Sequence, residues 1–369
     1  MLNCLASHIA RTRSLVIYES PRTYPTFFFF RDPAPSLQHL EIHSGNKDFL
    51  CLPDNFLGQQ APSLRFVDFN GVRPTFETNF PLPNLTEFRL HLPEGAGPFR
   101  MSSLFRFLSN SPLLEKLCIR ITSQTTQDIP LDQVISLESL VEFEYAYNLG
   151  DRTLSHLKLP RLKHLRVFSS LEPGEVEELA DILSYDGRVL LAGATKMSYH
   201  SDAHSLTVKL SGNGVGVSVV MPRTVGGPSI DWFCNQTCIP FGQIEDLEIN
   251  GHPTDANFNI NIFIFENLGV LRMGRWGGRF GERFLRSLDQ DPAAGVPCRS
   301  LQEIECTYLR PQRPLQWPLT SIAKKRKRAG YQLGLVSLWV AQWSCQELVE
   351  ELREHVGEVR VGVIRDTGA

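Results

Sequence analysis

Apolar residues recur along this chain at a fixed spacing, with one apolar side chain at position 0, a second at +3 and a third at +5. Mostly polar residues lie at the intervening positions +2 and +4. Nine copies of this motif have as their position-0 anchors Leu37, Leu64, Leu85, Leu114, Leu140, Leu162, Ile244, Leu268 and Leu301. An alternation with a period of two is typical of a β-strand with one buried face. The pattern therefore predicts a series of similar short strands.

The intervals between the copies indicate a repeat architecture. The first six anchors are 27, 21, 29, 26 and 22 residues apart, and five copies have a proline two residues before the anchor. Intervals of this length, with apolar residues at 0, +3 and +5, are typical of the leucine-rich repeat, in which each unit supplies one strand and one return segment. Since one unit cannot close its own core, parallel strands stack side by side and their +3 and +5 side chains form one apolar spine. We therefore predict an α/β fold: a leucine-rich-repeat solenoid with strands on the concave side, helices and irregular loops on the convex side, and a C-terminal cap.

The regularity of the motif predicts four regions. Residues 1–184 form N-terminal repeats and residues 244–320 form C-terminal repeats. The intervening residues 185–243 are less regular, which predicts an insertion within the solenoid. They contain Gly212-Asn213-Gly214, which predicts a hairpin turn between two alternating strands. Residues 321–369 form a helix–strand cap, which an open stack of repeats requires.

Three segments between the predicted strands have the apolar stripe of a packing helix. They are 102–109, 174–183 and 281–289. We expect these helices on the convex side of the solenoid.

The side chains that face away from the predicted core form the candidate binding surface. Because successive side chains of a strand point in opposite directions, positions +2, +4 and +6 face outward when +3 and +5 face inward. The candidate partner-binding residues on this concave face are His39, Glu41, Asp68, Glu87, Arg89, His91, Lys116, Arg120, Glu142, Glu144, His164, Arg166, Asp246, Glu248, Glu303 and Glu305. Mixed charge without a convergent nucleophile and base favours recognition of another protein over catalysis.

Composition narrows the class of protein further. The chain has 37 basic and 40 acidic residues and a formal charge of -3, so no overall field draws it to nucleic acid or to an anionic membrane. Eight irregularly spaced cysteines do not resemble the disulfide framework of a small secreted domain. The apolar stretch within residues 1–13 is too short for a signal peptide. We therefore expect an intracellular protein, in the cytoplasm or the nucleus.

One long uncharged segment could be mistaken for a membrane span. Residues 329–346 carry no charge, but they include Gln332, Ser337, Gln342 and Gln346, which a hydrocarbon environment disfavours. We expect a buried strand around residues 334–340 and no contact with a membrane.

Sequence motifs for catalysis are weak. The chain has no Gly-x-x-x-x-Gly-Lys or Gly-x-Ser-x-Gly motif. Cys234 with Cys238, and His200 with His204, lack a second pair at the spacing of a structural zinc site. We therefore expect a non-enzyme that binds no metal or cofactor. The alternative left open is an enzyme or metal-binding protein with a site in residues 185–243.

A second alternative rests on the densest run of charge in the chain. Residues 324–328 read Lys-Lys-Arg-Lys-Arg, which is typical of a nuclear-import signal or a nucleic-acid patch. The favoured interpretation is a solvated helix face before the strand at 334–340, with nucleic acid not expected as a partner.

Several sequence segments resemble those of a known protein family. The stretch Phe107-Leu-Ser-Asn-Ser-Pro-Leu-Leu-Glu-Lys-Leu-Cys-Ile119, residues 82–90 and 159–167, and the ending at 347–359 are similar to the leucine-rich-repeat portion of the F-box-like proteins of mushroom-forming (basidiomycete) fungi. This resemblance covers nearly the whole chain. In that family, the repeats hold the substrate of a cullin-type ubiquitin ligase, which implies that this chain recognises a protein substrate.

The F-box of that family is a three-helix segment before the repeats, and it binds the linker subunit of the ligase. The residues before Thr12 are too few to form it. We therefore expect the linker subunit as a partner only if a longer form of the protein carries an F-box.

Overall fold

The structure of the protein is a computed structural model. It describes residues 7–19, 30–45, 50–53, 55–74, 82–93, 99–122, 125–126, 134–147, 156–169, 191, 193–202, 205–222, 241–250, 262–274, 279–289, 296–307, 316–340 and 346–363. The fold is α/β, with mostly parallel strands and few helices. The chain divides into two compact units, unit 1 mainly within Met1–Leu171 and unit 2 mainly within Arg188–Ala369.

In the described residues of unit 1, seven strands form a parallel sheet in the order β1-β2-β4-β6-β8-β11-β13. Three two-residue ladders, β3 with β5, β7 with β9 and β10 with β12, accompany this sheet. The strands are β1 (Ser14–Glu19), β2 (His39–Ser44), β3 (Leu50–Cys51), β4 (Phe66–Asn70), β5 (Val72–Arg73), β6 (Glu87–Leu92), β7 (Phe99–Arg100), β8 (Lys116–Ile121), β9 (Thr125–Thr126), β10 (Ile135–Ser136), β11 (Glu142–Tyr147), β12 (Leu157–Lys158) and β13 (His164–Ser169). Helix α1 (Met101–Ser109) lies between β7 and β8, and 3-10 turns occupy Ile9–Arg11 and Phe56–Gln59.

In unit 2, the strand order is β16-β15-β14-β17-β18-β19-β20-β21. The pairs β16–β15 and β15–β14 are antiparallel, and the five pairs from β14–β17 to β20–β21 are parallel. The strands are β14 (Lys196–Ser201), β15 (Ser205–Gly212), β16 (Val215–Pro222), β17 (Asp246–Asn250), β18 (Val270–Met273), β19 (Glu303–Thr307), β20 (Leu335–Val340) and β21 (Glu358–Val363). The helices are α2 (Arg279–Leu288), α3 (Gln316–Arg328) and α4 (Gln346–Arg353), with 3-10 turns at Phe241–Gln243 and Ile262–Ile264. Helix α3 contacts both α2 and α4.

The apolar positions of the motif form the core of each unit. The anchor and the +3 and +5 side chains are buried in all nine copies, as Leu37, Leu40 and Ile42 show in the first. The strand register aligns each +3 residue with the +3 residue of the next strand, so that Leu40 pairs with Val67. Each buried side chain of this size stabilises the fold by roughly 1.5–3 kcal/mol.

A tight turn before each strand explains the prolines of the motif. The amide of the anchor donates a hydrogen bond to the carbonyl three residues earlier, for example Leu64 N to Ala61 O at 3.1 Å. Proline therefore lies at the second position of a four-residue turn, where its fixed φ favours the turn and no amide hydrogen is needed. The residue at position -3, such as Ala34, Ala61 or Leu82, is buried as well.

Backbone hydrogen bonds at the start of each strand fix the register. The carbonyl of Arg65 accepts from the amides of both Thr86 and Glu87 at 2.9 Å, and equivalent pairs occur along both units. A slip of one residue would turn every apolar side chain outward, so the apolar spine and these bonds specify the same register.

Unit 2 contains copies of the motif that the nine predicted anchors do not include. Ala194 with Met197 and Tyr199 supplies β14, and Leu333 with Val336 and Leu338 supplies β20; all six are buried. The predicted hairpin is formed by β15 and β16, whose connecting residues Asn213 and Gly214 both have positive φ. This conformation suits the turn of a two-residue hairpin.

The helices at 102–109 and 281–289 correspond to α1 and α2, and α1 buries Leu104, Phe105 and Leu108. The helix predicted at 174–183 lies outside the described residues, and the four-region division of the chain stays a prediction. The strand predicted at 334–340 is β20. None of the helices in the described ranges is both long and apolar enough to span a bilayer.

Truncation of a spine residue tests this packing. We expect Leu117→Ala, at a site 2% exposed, to lower the free energy of unfolding by about 2–5 kcal/mol, because it removes methyl groups from a buried position and leaves a cavity. Leu113→Ala, in the same copy but 48% exposed, should change it by less than about 0.5 kcal/mol. Urea unfolding followed by circular dichroism measures both values, and equal effects of the two variants would show that Leu117 is not in the core.

Candidate functional site

The outward side chains of unit 1 form three aligned columns across the seven strands, which we call the first polar face. The +2 column contains Ser14, His39, Phe66, Glu87, Lys116, Glu142 and His164. The +4 column contains Val16, Glu41, Asp68, Arg89, Cys118, Glu144 and Arg166. The +6 column contains Tyr18, His43, Asn70, His91, Arg120, Ala146 and Phe168. All twelve candidate residues that precede residue 170 lie on this face.

At the β1 end of this face, aromatic rings stack between neighbouring strands, and two histidines of β2 share a carboxylate of the same strand. His39 Nε2 and His43 Nε2 donate to the two oxygens of Glu41 at 2.7 and 3.1 Å. The hydrogen bond from His43 is the main cause that lowers the pKa of Glu41, and the bond from His39 adds to it. Tyr18, which is 75% exposed, stacks on His43, and His39 stacks on Phe66.

The middle of the first polar face holds a half-buried carboxylate beside basic groups. Burial raises the pKa of Asp68, which lies near His43, Arg89 and His91. Burial also lowers the pKa of His91, and the nearby Arg120 lowers it further. Arg89 donates from Nε to Glu87 at 2.8 Å and lies over the Phe66 ring.

Around Glu144, two guanidinium groups meet one carboxylate. Arg120 Nε donates to Glu144 Oε1 at 2.6 Å, and Arg166 Nη1 lies 3.8 Å from Oε2. Both arginines also lie over the ring of Phe168, with guanidinium carbons 4.8 and 4.5 Å from its centroid. Cys118 Sγ donates to Glu144 at 3.3 Å, and burial, with the adjacent carboxylate, raises the pKa of this thiol to about 12.

The outward side chains of unit 2 form the second polar face, which carries the remaining four candidate residues. Its +2 column contains Lys196, Asp246, Val270, Glu303, Leu335 and Glu358. Its +4 column contains Ser198, Glu248, Arg272, Glu305, Ser337 and Arg360. Its +6 positions include His200, Asn250, Thr307, Trp339 and Gly362.

Arg272 is the central group of the second polar face. It forms ion pairs with Asp246 and with Glu305, the latter at 3.3 Å. The hydrogen bond to Asp246 is the main cause that raises the pKa of Arg272. The same +4 rule that selected Glu305 applies to Arg272 in its own motif copy, so the sequence carried the signal for this residue although the candidate set omits it.

Trp339 is a second residue that the candidate set omits. Its side chain is 41% exposed and lies against Gly362 on β21, where an added Cβ would come too close to the indole ring. The glycine therefore provides the space that the ring occupies. Recognition of the Leu333 copy would have placed Trp339 at +6.

The structure brings no metal-binding cluster together in the ranges it describes: no group of three or more His, Cys, Asp or Glu side chains there could hold an ion. Asp202, between the two histidines of the candidate motif, accepts hydrogen bonds from the amide and hydroxyl of Ser205. Cys234, Cys238 and His204 lie outside the described residues.

The basic run 324–328 corrects one expectation, because it is not a uniformly solvated face. Arg326 is buried and donates to the carbonyls of Pro297, Cys298 and Leu301 at 2.9–3.0 Å, in the turn before β19. Cys298 has a positive φ, which is uncommon outside glycine, and the guanidinium satisfies the carbonyls that this irregular turn exposes. Lys325 Nζ lies 3.0 Å from Asp289 Oδ1, so part of the run stabilises unit 2.

No protein-family model matches this sequence, and a search of curated proteins gives no match either.

The raised pKa of Cys118 predicts low thiol reactivity. At pH 8 we expect iodoacetamide to alkylate Cys118 more than about tenfold more slowly than the exposed Cys51, since only the thiolate reacts and burial holds Cys118 in the thiol form. Glu144→Gln should increase the rate at Cys118, because it removes the adjacent negative charge. Peptide mass spectrometry over time measures both rates, and alkylation of Cys118 within tenfold of Cys51 would contradict the described burial.

The role of Arg326 can be separated from the charge of the run. We expect Arg326→Met to lower the free energy of unfolding by about 3 kcal/mol, because buried carbonyls lose a charged donor. Arg328→Met removes the same charge from an exposed position and should change stability by less than about 0.5 kcal/mol. Urea unfolding of both variants measures the difference, and equal stability would mean that Arg326 is solvated like its neighbours.

Proposed function

We propose that this chain is a leucine-rich-repeat solenoid that recognises another protein through its polar faces and catalyses no reaction. The observation that carries this proposal is the alignment of outward polar and aromatic side chains in columns across seven neighbouring strands of unit 1. Stacked repeats present extended surfaces of this kind to protein partners.

The composition of the faces supports a protein partner. Tyr18, Trp339, Arg120 and Arg166 are exposed or partly exposed, and aromatic residues and arginine are the types enriched at protein interfaces. Many of the charged groups are already held by their neighbours, as Glu41 is by two histidines. A partner that binds such groups pays less of the entropy of ordering side chains.

The partner class follows from the resemblance to the basidiomycete F-box-like proteins. We propose that the polar faces act like the substrate-binding half of an F-box ubiquitin-ligase receptor, so that the ligand is a protein destined for modification. The linker subunit of the ligase remains a proposed partner only for a longer form that carries an F-box.

The two alternative functions receive less support from the described residues. In the interval 185–243, these residues form β14, β15, β16 and a 3-10 turn, and among them no group of three or more His, Cys, Asp or Glu side chains could hold a metal ion. In the basic run, Arg326 is buried and Lys325 is paired, which leaves fewer cations for phosphate contacts. The polar faces are therefore the better candidate.

Site-directed photo-crosslinking tests the proposed face. A benzophenone amino acid is placed at Lys116 or His164 on the first polar face, or at the exposed Lys158 on β12 as the matched control. We expect the same protein adduct in cells from positions 116 and 164, and none from position 158, because the face contacts the partner and β12 does not. Adducts of equal yield from all three positions, or adducts with nucleic acid alone, would contradict the proposal.

A further inference from the structure

We propose that Arg166, Phe168 and Arg120 form an anion-recognition point on the first polar face, which binds a carboxylate or phosphate group of the protein partner. This inference rests on the proposed function, because it assigns a chemistry to one part of the same face.

The position of the three residues is set by neighbouring strands. Phe168 lies at +6 of β13 and Arg166 at +4 of the same strand, while Arg120 lies at +6 of β8. Between Arg120 and Phe168, the +6 position of β11 is Ala146. Since alanine has no side chain beyond Cβ, the long Arg120 side chain can extend across β11 to the ring.

Arg166 has donors that no described residue uses. Within the described residues its contacts are the 3.8 Å ion pair to Glu144 and the stacking on Phe168. A separation of 3.8 Å is too long for a hydrogen bond, and a guanidinium carries five N–H donors. The side chain is 53% exposed, so these donors are open to a ligand.

The local charge favours an anion. On β8, β11 and β13, the first polar face carries the basic residues Lys116, Arg120 and Arg166 and the acidic residues Glu142 and Glu144. Lys116 pairs with Glu142 at 3.1 Å, which leaves two guanidinium groups to share Glu144. Among these five described groups, one positive charge is therefore uncompensated.

Stacking on Phe168 prepares the arginines for binding. A guanidinium held over an aromatic ring has fewer orientations to lose on binding, and its N–H groups can still donate to a planar carboxylate or to phosphate oxygens. Arg89 provides a contrast to Arg166 on the same face, because its guanidinium lies over Phe66 and also donates from Nε to Glu87 at 2.8 Å.

The test uses capped tripeptides as probes for the two anion types. Acetylated and amidated Gly-Glu-Gly and Gly-phosphoSer-Gly are titrated into the full chain at constant ionic strength, with Gly-Gln-Gly as the neutral control. The Nε–Hε NMR resonances of Arg166 and Arg120 report binding. The variants are Arg166→Gln, Phe168→Leu, which keeps an apolar side chain, and Arg89→Gln as the matched control.

We expect at least one anionic peptide to shift the Arg166 resonance, and the neutral peptide to leave it unchanged. Arg166→Gln should weaken binding about tenfold, the effect of one charged hydrogen bond. Phe168→Leu should weaken binding about threefold through the loss of the cation–π contact. Arg89→Gln should leave the affinity within about twofold. A response to the phosphopeptide alone identifies a phosphate ligand, and a response to the glutamate peptide alone identifies an acidic side chain.

The proposal is overturned if neither anionic peptide shifts the Arg166 resonance, if the neutral peptide shifts it equally, or if Arg89→Gln weakens binding as much as Arg166→Gln. If the anionic peptides do not bind but the protein adducts form at positions 116 and 164, the anion site alone is rejected. If an anionic peptide binds but the protein adducts do not form, the protein-recognition function is rejected instead.

Discussion

Burial of three apolar side chains from each motif copy is the interaction on which both units depend. The buried anchor closes the turn before the strand, and the +3 and +5 residues lie beside their counterparts on the next strand, as Leu117 does beside Phe88 and Phe143. Because side chains alternate along a strand, burial of +3 and +5 also decides which residues face outward. The core and the candidate binding surface are therefore two results of one register.

The same register determines which side chains become neighbours on the polar faces. Parallel strands lie about 4.8 Å apart, so residues at equal motif positions become neighbours even when more than twenty residues separate them in sequence. Glu144 thus meets Arg166, which lies at the same position of the next copy, and also Arg120, which lies two residues further along the strand of the preceding copy. Such cross-strand groups order long side chains in the free protein, so a partner of the kind we propose would meet a surface of fixed shape and charge.

Much of this architecture could be predicted from sequence, because the spine depends on residue type and spacing alone. Leu40, Val67 and Phe88 are buried where the motif places them. The copy at Ala194 is hard to recognise in the sequence, because alanine stands where the nine predicted copies have leucine or isoleucine as the anchor. The inward position of Arg326 could not be predicted, because it depends on the unusual backbone of Cys298, twenty-eight residues away in sequence. The contacts of Phe168 likewise depend on Ala146 leaving space between two strands, which no single motif copy reveals.

Distances between spin labels along one column test the register most directly. Genetically encoded labels replace His39 and His164 in one sample, and Ser14 and His164 in a second, and pulsed dipolar spectroscopy measures each separation. Stacked parallel strands predict a separation of about 24 Å for the first pair and one about 5 Å longer for the second, since β1 adds one strand spacing. Equal separations, or a shorter one for the second pair, would contradict the aligned strands on which the fold and both polar faces rest.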